Sequence, residues 1–486
     1  MTTTVRIHEK LLIGGRPRAS ASGRTIEVRS PATGQIVGTV AEADTADVDA
    51  AVAAARTALA SGPWARTTPQ ERAEILGRMG TLLRDRTDEL ADLISDEVGS
   101  PRGWAVGGQV GTALGVLHVH RALAASYPWV ETRAALVGGE VRVRRLPVGV
   151  VGAIVPWNAP LFTAVLKLAP ALLAGCTVLL KPSPLAPLSA VVLAEVAAEA
   201  GLPKGVLTVL PAGAQASEHL VSHPGVDKIS FTGSTAVGTR IGELCARDQR
   251  RCTLELGGRS AALLLDDVEL TDRVVDDLVD GAMANSGQIC IAQTRFLVPR
   301  SRAKEITEAL AARISALRVG DPADEETEIG PVIDDRAKQR IERIVADAEA
   351  AGARVAGRAG APDLPAGHYV APVLFTDVDP AVPVAREEIF GPVAVVLPYT
   401  DVDEAVRIAN STDYGLAGSV WSADPDRAEL LAGRFAAGSV AVNSSAAMDL
   451  GSPFGGMRRS GTGRECGPEG VTAFVEQQSI VVPAAR

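Results

Sequence analysis

The chain has 486 residues, and its 47% hydrophobic and 22% charged content excludes a disordered or collagen-like protein. A chain of this length has room for about two to four domains and a large buried core. The 48 lysines and arginines against 58 aspartates and glutamates give a net charge of -10, which disfavours nucleic acid as a partner because phosphate backbones are repelled.

The cysteine count and the apolar segments indicate the cellular compartment of the protein. Five cysteines, an odd number without a Cys-x-x-Cys motif, favour a reducing compartment over a disulfide framework or a zinc site. The N-terminus leads into no apolar signal core, and the most apolar stretch, 148–180, is interrupted by prolines and polar residues. We therefore expect a cytoplasmic protein without a membrane span.

Two close histidine pairs were considered as metal ligands. His118 lies next but one to His120, and His219 lies one helical turn before His223. No acidic residue or cysteine completes either pair into a recognisable motif, so no metal site is predicted.

The first part of the chain predicts two helices and a strand. Asp44 can cap an alanine-rich helix that ends near Gly62, and Pro69 opens a second helical run that ends at Gly99. The segment 138–147 alternates apolar and charged residues, which is typical of a strand with one solvated face and suits an edge used in assembly.

Short apolar strands alternate with helices from residue 148 onward, which indicates βαβ units and parallel sheets. The first series has strands at 148–155, 177–181, 206–210, 228–231 and 252–256, with helices at 160–174, 187–200 and 234–247. The second series has strands at 261–265, 294–298, 393–397 and 439–442, with helices at 301–317, 335–351 and 403–410. We interpret them as two α/β domains that meet near residue 257, and the stretch 351–366 as a surface excursion.

A cysteine and a glutamate are the candidate reactive groups. Cys290 follows Gly287-Gln288-Ile289, and Glu255 ends an apolar strand before two glycines that allow close approach of backbone or ligand. A thiol can attack a carbonyl carbon, and a buried carboxylate with a raised pKa can serve as the general base. The alternative for Cys290 taken alone is an inert, packed cysteine.

Three further polar groups follow predicted strands, at the edge where ligands of doubly wound folds bind. Asn158 could donate to an oxyanion, or be an ordinary turn or helix cap. Lys181 could meet a ligand, or be a solvated strand end. The Gly233-Ser234 turn opens a helix and suits a phosphate, although a plain strand-to-helix loop is equally compatible with it.

Taken together, these segments and their order resemble the aldehyde dehydrogenase superfamily over nearly the whole chain. The matching stretches are Pro156-Trp157-Asn158, Lys181-Pro182-Ser183, Phe231-Thr232-Gly233-Ser234, Glu255-Leu256-Gly257-Gly258, Gly287-Gln288-Ile289-Cys290, Glu387-Glu388-Ile389-Phe390-Gly391-Pro392, and Pro453-Phe454-Gly455-Gly456 with Ser460-Gly461.

The resemblance implies an α/β fold of two doubly wound parallel-sheet domains with a small β oligomerisation arm. The cofactor-binding domain would comprise 1–125 and 148–257, and the catalytic domain 258–458. The arm and C-terminal segment would comprise 126–147 and 459–486. In this family the arm pairs strands between subunits, so a homodimer or homotetramer is expected.

The resemblance also implies a mechanism and a cofactor site. Cys290 would attack the aldehyde, the Asn158 amide and the Cys290 N–H would hold the oxyanion, and Glu255 would activate the water that releases the acid. The implied contacts to NAD or NADP are Pro156, Trp157, Lys181, Gly233, Ser234, Leu256, Glu388 and Phe390.

Cofactor preference rests on one departure from the family pattern. Many members that use NAD have an acidic residue three positions after the lysine, where this chain has Pro184. A proline can neither bond the adenosine ribose nor repel a 2′-phosphate. NAD is expected from the habits of the family, and NADP stays possible.

The substrate prediction rests on small apolar residues. By resemblance the substrate tunnel is lined near Ala159, Thr163, Leu166, Ala284 and Met448. Several of these are places where relatives carry aromatics, so the channel should be wide and apolar. We expect a bulky or long apolar aldehyde, whether terpenoid, aromatic or fatty, as the substrate.

Two other functions are compatible with such a chain. A CoA-acylating relative would pass the thioester to coenzyme A, but such members commonly lack the glutamate found here as Glu255. A binding or structural protein without turnover would have no chemical need for Cys290, Glu255 and Asn158 together.

Overall fold

The computed structural model describes residues 5–136, 138–360, 362 and 364–483. Its strands, in chain order, are β1 (Arg6–His8), β2 (Leu11–Ile13), β3 (Arg16–Arg18), β4 (Thr25–Arg29), β5 (Ile36–Ala41), β6 (Val130–Ala134), β7 (Glu140–Pro147), β8 (Val150–Ile154), β9 (Thr177–Lys181), β10 (Leu207–Val209), β11 (Lys228–Thr232), β12 (Arg251–Glu255), β13 (Ala261–Leu264), β14 (Arg295–Pro299), β15 (Arg354–Arg358), β16 (Val373–Thr376), β17 (Val393–Tyr399), β18 (Ala417–Trp421), β19 (Ser439–Val442), β20 (Gly461–Thr462) and β21 (Val475–Val482).

The α-helices are α1 (Thr45–Ala60), α2 (Pro69–Asp85), α3 (Thr87–Val98), α4 (Arg102–Trp104), α5 (Thr112–Ser126), α6 (Pro160–Ala174), α7 (Leu188–Glu199), α8 (Ala214–Ser222), α9 (Thr235–Arg247), α10 (Asp272–Met283), α11 (Ala303–Ser315), α12 (Asp335–Ala350), α13 (Pro383–Arg386), α14 (Val402–Ala409), α15 (Pro425–Ala432) and α16 (Gly467–Thr472). A π-helix spans Ala105–Gly111. Within the part of the chain described, no helix has both the length and the apolar character needed to cross a membrane.

The first large sheet has the strand order β10-β9-β8-β11-β12-β20 and is parallel except for β20. All five residues of β8 are buried, as expected for a parallel strand covered by helices on both faces. Helix α6 follows β8; it begins with Pro160 in its first turn and ends at the left-handed Gly175. Nearly every α6 side chain is buried, which accounts for the long apolar run in the sequence.

The second large sheet has the order β15-β16-β17-β14-β13-β18-β19, and only the edge strand β15 is antiparallel. The chain passes from one sheet to the other between Glu255 and Ala261. These two parallel sheets confirm the α/β class predicted from the sequence. The domain boundaries given above remain predictions.

A third, antiparallel sheet has the order β21-β7-β6. It contains the alternating segment that predicted a strand, which forms β7. The C-terminal residues therefore contribute twice, because β20 extends the first large sheet and β21 pairs along the whole of β7.

The structure corrects three details of the sequence prediction. The stretch 351–366, interpreted as a surface excursion, contains β15, which pairs with β16. The helical run from Pro69 to Gly99 is two helices separated at Arg86. Strand β18 was missed because it begins Ala417-Gly418-Ser419, small residues with weak strand preference.

Candidate active site

A cavity of about 860 Å³ lies at the carboxyl edge of the first large sheet and contains most of the predicted site. Its wall includes all three predicted catalytic residues, Cys290, Glu255 and Asn158. Such an edge is where doubly wound folds bind ligands. The other predicted residues in the wall are Pro156, Trp157, Ala159, Thr163, Leu166, Gly233, Ser234, Leu256, Glu388, Phe390 and Met448.

The nucleophile candidate is presented by an unusual turn. Asn285 (φ 51°), Ser286 (φ 59°) and Gly287 (φ 69°) are three consecutive left-handed residues after α10. A non-glycine residue pays about 1–2 kcal/mol to adopt this conformation, so tertiary contacts must hold the turn in place. A Cβ at Gly287 would overlap the carbonyl oxygen of Gly391.

The two glycines after Glu255 are required by close contacts. A Cβ at Gly258 would overlap the carbonyl oxygen of Cys290, and a Cβ at Gly257 would overlap the carboxylate of Glu388. The backbone N–H of Gly258 donates to Glu388 Oε1 at 3.1 Å. The glycine pair thus lets Cys290 and Glu388 lie against the backbone that follows Glu255.

The Cys290 thiol is in an environment that disfavours its charged form. Burial, followed by the nearby carboxylates of Glu388 and Glu255, raises the pKa of the thiol to about 12. The backbone N–H groups of Cys290 and Ile291 act in the opposite direction, because they stabilise the thiolate.

Glu255 is a buried carboxyl near the backbone N–H of Gly456, which acts to lower its pKa. Glu255 is 3% exposed, and among the residues described no donor lies in hydrogen-bond geometry with either of its carboxylate oxygens. Burial, followed by the nearby Glu465 carboxylate, raises the pKa of Glu255 well above its usual value. Glu465 itself accepts from the Lys167 ammonium at 2.6 Å. A group of this kind is suited to accept a proton from water in the cavity.

Asn158 points its amide at the nucleophile loop. It follows β8, is 7% exposed, and its Nδ2 donates to the carbonyl oxygen of Gln288 at 2.8 Å. An amide donor next to a nucleophile is the arrangement that stabilises an oxyanion.

The cofactor candidates lie along the same sheet edge. Lys181 ends β9 in register with Ile154 of β8, and burial lowers the pKa of its ammonium to about 8. It lies outside the cavity wall, and within the described residues its ammonium has no hydrogen bond or ion pair. Ser234 caps α9, and Gly233 N–H donates to the Glu255 carbonyl oxygen at 3.0 Å.

An aromatic pair stands where this edge meets the nucleophile. Trp157 and Phe390 are edge to face, with ring centroids 5.5 Å apart and an interplanar angle of 89°. Phe390 has a left-handed backbone (φ 53°), and the Arg340 guanidinium donates to the neighbouring Ile389 carbonyl.

Pro184 lies in the turn that follows β9 and is partly exposed.

One residue predicted to line the substrate tunnel, Ala284, lies outside the cavity wall. It does so because it ends α10 with an extended backbone (φ -50°, ψ 143°) just before the left-handed turn. That turn brings Ile289 and Ile291 to the wall instead.

Sequence reasoning also missed part of the wall. The π-helix contributes Gly107, Gly108 and Gly111, and its neighbours Trp104 and Thr112 join them. Three glycines within one helical stretch were the available signal, since a helix rarely carries them without a reason. The remaining missed residues are Phe162, Thr232, Gly257, Ile289, Ile291, Arg340, Ala446, Ala447, Leu450, Phe454 and Glu465.

A histidine cluster lies apart from this cavity. Asp49 Oδ1 is 2.6 Å from His219 Nε2 and 3.3 Å from His223 Nε2, a group the sequence argument missed because Asp49 belongs to α1. His223 Nδ1 accepts from the Gly225 N–H, so the neutral ring carries its proton on Nε2. That nitrogen then has no lone pair for a metal.

The comparisons with known proteins agree with the geometry. Residues 18–480 match the model of the aldehyde dehydrogenase family. Geranial dehydrogenase of Castellaniella defragrans is 41% identical, over 97% of this chain and 98% of its own. An aldehyde dehydrogenase of Mycobacterium tuberculosis solved with NAD+ is 44% identical, with a TM-score of 0.97 over 99% of this chain and 100% of its own.

A third similar protein was solved with an aldehyde. A mutant of aldehyde dehydrogenase C from Pseudomonas syringae, in complex with NAD+ and octanal, is 38% identical, with a TM-score of 0.93 over 98% of each chain. The fold, the site and these matches place the chain in the aldehyde dehydrogenase family. It is an NAD(P)-dependent aldehyde dehydrogenase, and thus an oxidoreductase.

Proposed function

We propose that the protein oxidises a long or bulky apolar aldehyde to the carboxylic acid, through a thioester on Cys290 that is hydrolysed with Glu255 as base. One observation carries this proposal. A single cavity is lined by a thiol, an amide donor, a buried carboxyl and a set of apolar side chains.

The first step is attack of the Cys290 sulfur on the aldehyde carbon to give a thiohemiacetal. The negative charge that develops on oxygen is stabilised by the Asn158 amide and the Cys290 N–H. One such donor contributes about 3–4 kcal/mol to the transition state. Because the pKa of the resting thiol is about 12, loss of its proton must accompany binding or attack.

The residues present fit a dinucleotide cofactor. A partly exposed lysine, without a hydrogen bond or ion pair to any described residue, ends β9, and the N-terminus of α9 follows Gly233-Ser234. Lys181 would hold the adenine-side ribose, Ser234 and Gly233 the pyrophosphate, and Glu388 the nicotinamide-side ribose. Pro156, Trp157, Leu256 and Phe390 would surround the nicotinamide end. NAD(P), when bound, supplies the hydride acceptor.

Glu255 completes the reaction by removing a proton from the attacking water. Its oxygens have no competing hydrogen bond within the described residues, and its raised pKa makes it a stronger base than an exposed glutamate. The Asn158 amide then stabilises the second tetrahedral oxyanion, and the acid leaves as Cys290 regains its proton.

The substrate class is inferred from the wall of the cavity. Ala159, Leu166 and Met448 line it together with Thr163, and Gly107 of the π-helix leaves open space beside it. Geranial and octanal, which appear in the names of two similar proteins, are apolar aldehydes of this kind. An apolar channel lowers the free energy of an apolar chain by roughly 0.8 kcal/mol for each buried CH₂.

The proposal also includes the preferred cofactor, the oligomeric state and the cellular location. NAD is favoured over NADP because two of the similar structures hold NAD+, while Pro184 offers no group that excludes NADP. The sheet β21-β7-β6 has two edge strands, which suits pairing between subunits in a dimer or tetramer. The cytoplasm remains our predicted location, from the cysteine usage.

The test is to follow reduced nicotinamide with NAD and with NADP across straight-chain and branched aldehydes of increasing size. We expect kcat/KM to rise with apolar size and to be higher with NAD. The Cys290→Ala variant is the blank. A clear preference for acetaldehyde would contradict the substrate class, and acyl-CoA formation in the presence of coenzyme A would contradict hydrolysis.

A further inference from the structure

We propose that Gln109, on the π-helix, is a positioning residue that holds Asn158 in place for oxyanion stabilisation. This inference rests on the role given to Asn158 in the proposed function. Its basis is a buried network of amides that joins the wall of the cavity to the nucleophile loop.

The π-helix faces the cavity on one side and the protein interior on the other. Gly107, Gly108 and Gly111 lie in the cavity wall, whereas Gln109 and Val110 are buried. Thr112 Oγ1 donates to the Gly107 carbonyl at 3.2 Å, five residues back along the chain. The wider turn places the glycines toward the substrate space and turns the Gln109 side chain inward.

Two amides converge on a single carbonyl oxygen. Gln109 Nε2 donates to the Asn158 carbonyl at 3.2 Å, and Asn285 Nδ2 donates to the same oxygen at 3.0 Å. Asn158 in turn donates from its own Nδ2 to the Gln288 carbonyl at 2.8 Å. Asn158 is thus held at its backbone by two donors while its side chain reaches the loop that carries Cys290.

The orientation of the second donor is fixed from behind. Ser100 Oγ donates to Asn285 Oδ1 at 2.7 Å, which leaves only Nδ2 to face Asn158. Asn285 is the first of the three left-handed residues before Cys290. The clamp on Asn158 is therefore continuous with the turn that presents the nucleophile.

Gln109 is a poor choice for stability alone. Its side chain is fully buried, yet among the residues described its Oε1 has no hydrogen-bond partner. A buried amide oxygen left unpaired is destabilising, and an apolar side chain of the same size would avoid that cost. Within the described part of the chain, the Gln109 side chain makes a single hydrogen bond, to Asn158, which indicates that the residue serves the site.

The test compares two reactions of the same thiol in the absence of cofactor. Alkylation of Cys290 by iodoacetamide forms a carbon–sulfur bond and expels iodide, without an oxyanion. Acylation by p-nitrophenyl acetate passes through a tetrahedral oxyanion and expels p-nitrophenolate, leaving a thioester. The ratio of acylation rate to alkylation rate on Cys290, measured by peptide mass spectrometry, reports the oxyanion donor separately from access to the thiol.

Gln109→Met is the main variant, because methionine is similar in size and lacks the amide. Loss of a whole oxyanion donor costs about 10²–10³-fold, so a displaced donor should lower the ratio by about tenfold. Ser100→Ala should lower it by about threefold, since Asn285 loses its fixed orientation. The matched control is Gln70→Met, which removes an amide bond to the Ala124 carbonyl far from the cavity and should leave the ratio unchanged.

An unchanged ratio in Gln109→Met would overturn the inference. If that unchanged ratio came from an equal fall in both rates, it would mean that the substitution had moved the nucleophile loop. These outcomes do not depend on aldehyde turnover. A wild type that oxidises no aldehyde would overturn the proposed function but would leave the ratio measurement intact.

Discussion

The inner end and the outer end of the cavity are built by different means. At the inner end, around Cys290, Glu255 and Asn158, backbones touch so closely that Gly258 admits no Cβ, and hydrogen bonds hold the Asn158 amide and the Glu388 carboxylate. At the outer end, along the π-helix, a Cβ at Gly107 would meet no atom within 4 Å, whereas a Cβ at Gly108 would overlap the Trp104 ring. The inner end is fixed by close backbone contacts, whereas the outer end is lined by apolar side chains and has open space at Gly107.

Because of this difference, the two ends of the cavity should tolerate different substitutions. A reaction needs its groups held to within a fraction of an ångström, so small displacements at the inner end are costly. An apolar channel needs only volume and dryness, so the outer end can change its residues and alter which aldehyde fits. Variants at the two ends should therefore fail in different ways.

The largest effect is expected from Cys290→Ala. Removing a nucleophile abolishes covalent catalysis, so turnover should fall by about 10⁵-fold or more. Steady-state reduction of NAD with octanal measures this, and titration of NAD should give an unchanged affinity. The matched control is Cys252→Ala, a cysteine away from the cavity, which should keep wild-type turnover. Residual turnover above 1% of wild type in Cys290→Ala would remove the thiol from the mechanism.

Glu255→Gln should separate the two halves of the reaction. We expect a burst of reduced nicotinamide equal to the number of active sites, followed by steady-state turnover lowered by about 10²–10⁴-fold, because water loses its base. Stopped-flow absorbance measures both phases. The matched control is Glu243→Gln, an exposed glutamate of α9 outside the cavity wall, which should retain the wild-type steady rate. Loss of the burst itself would assign Glu255 to an earlier step.

Gly258→Ala probes the close packing of the inner end. The added Cβ would overlap the carbonyl oxygen of Cys290, so the nucleophile loop must shift and kcat should fall by about 100-fold. Thermal unfolding, measured alongside kcat, shows whether the fold survives. The control is Gly242→Ala in α9, where a Cβ would make an ordinary 3.6 Å contact and a helical alanine should stabilise the protein slightly. Wild-type kcat in Gly258→Ala would show that the inner end is looser than its contacts indicate.

Gly107→Leu tests the outer end and should have the smallest effect. A side chain in the open space would shorten the channel, so kcat/KM for octanal should fall about tenfold while that for propanal stays the same. Gly103→Leu is the matched control, because Gly103 also faces open space but lies outside the cavity wall. An equal loss for both aldehydes would mean that the substitution disturbs the inner end instead.

The same contrast explains how much could be predicted from the sequence. The inner end consists of short motifs whose glycines and polar residues have few alternatives, so Cys290, Glu255 and Asn158 were found together. The alternation of strands and helices likewise indicated both parallel sheets. Strand β18 and edge strand β15 were lost because their small residues carry weak strand preference.

The outer end was predicted less well because its residues act through shape. Ala284 was assigned to the tunnel by position, but the left-handed turn that begins at Asn285 directs the chain so that Ile289 and Ile291 form the wall. The π-helix and Glu465 come from distant segments, and no local pattern marks their approach to Glu255 or Asn158. Such contacts follow from tertiary packing.

The most direct test of the account is the mass of the intermediate. Glu255→Gln is mixed with octanal and NAD, quenched in acid within seconds, and digested for mass spectrometry. We predict that the peptide containing Cys290 carries the mass of octanal less two hydrogens, the thioester formed after hydride loss. An unmodified Cys290 after a full burst of reduced nicotinamide, or an acyl group on another residue, would contradict the account.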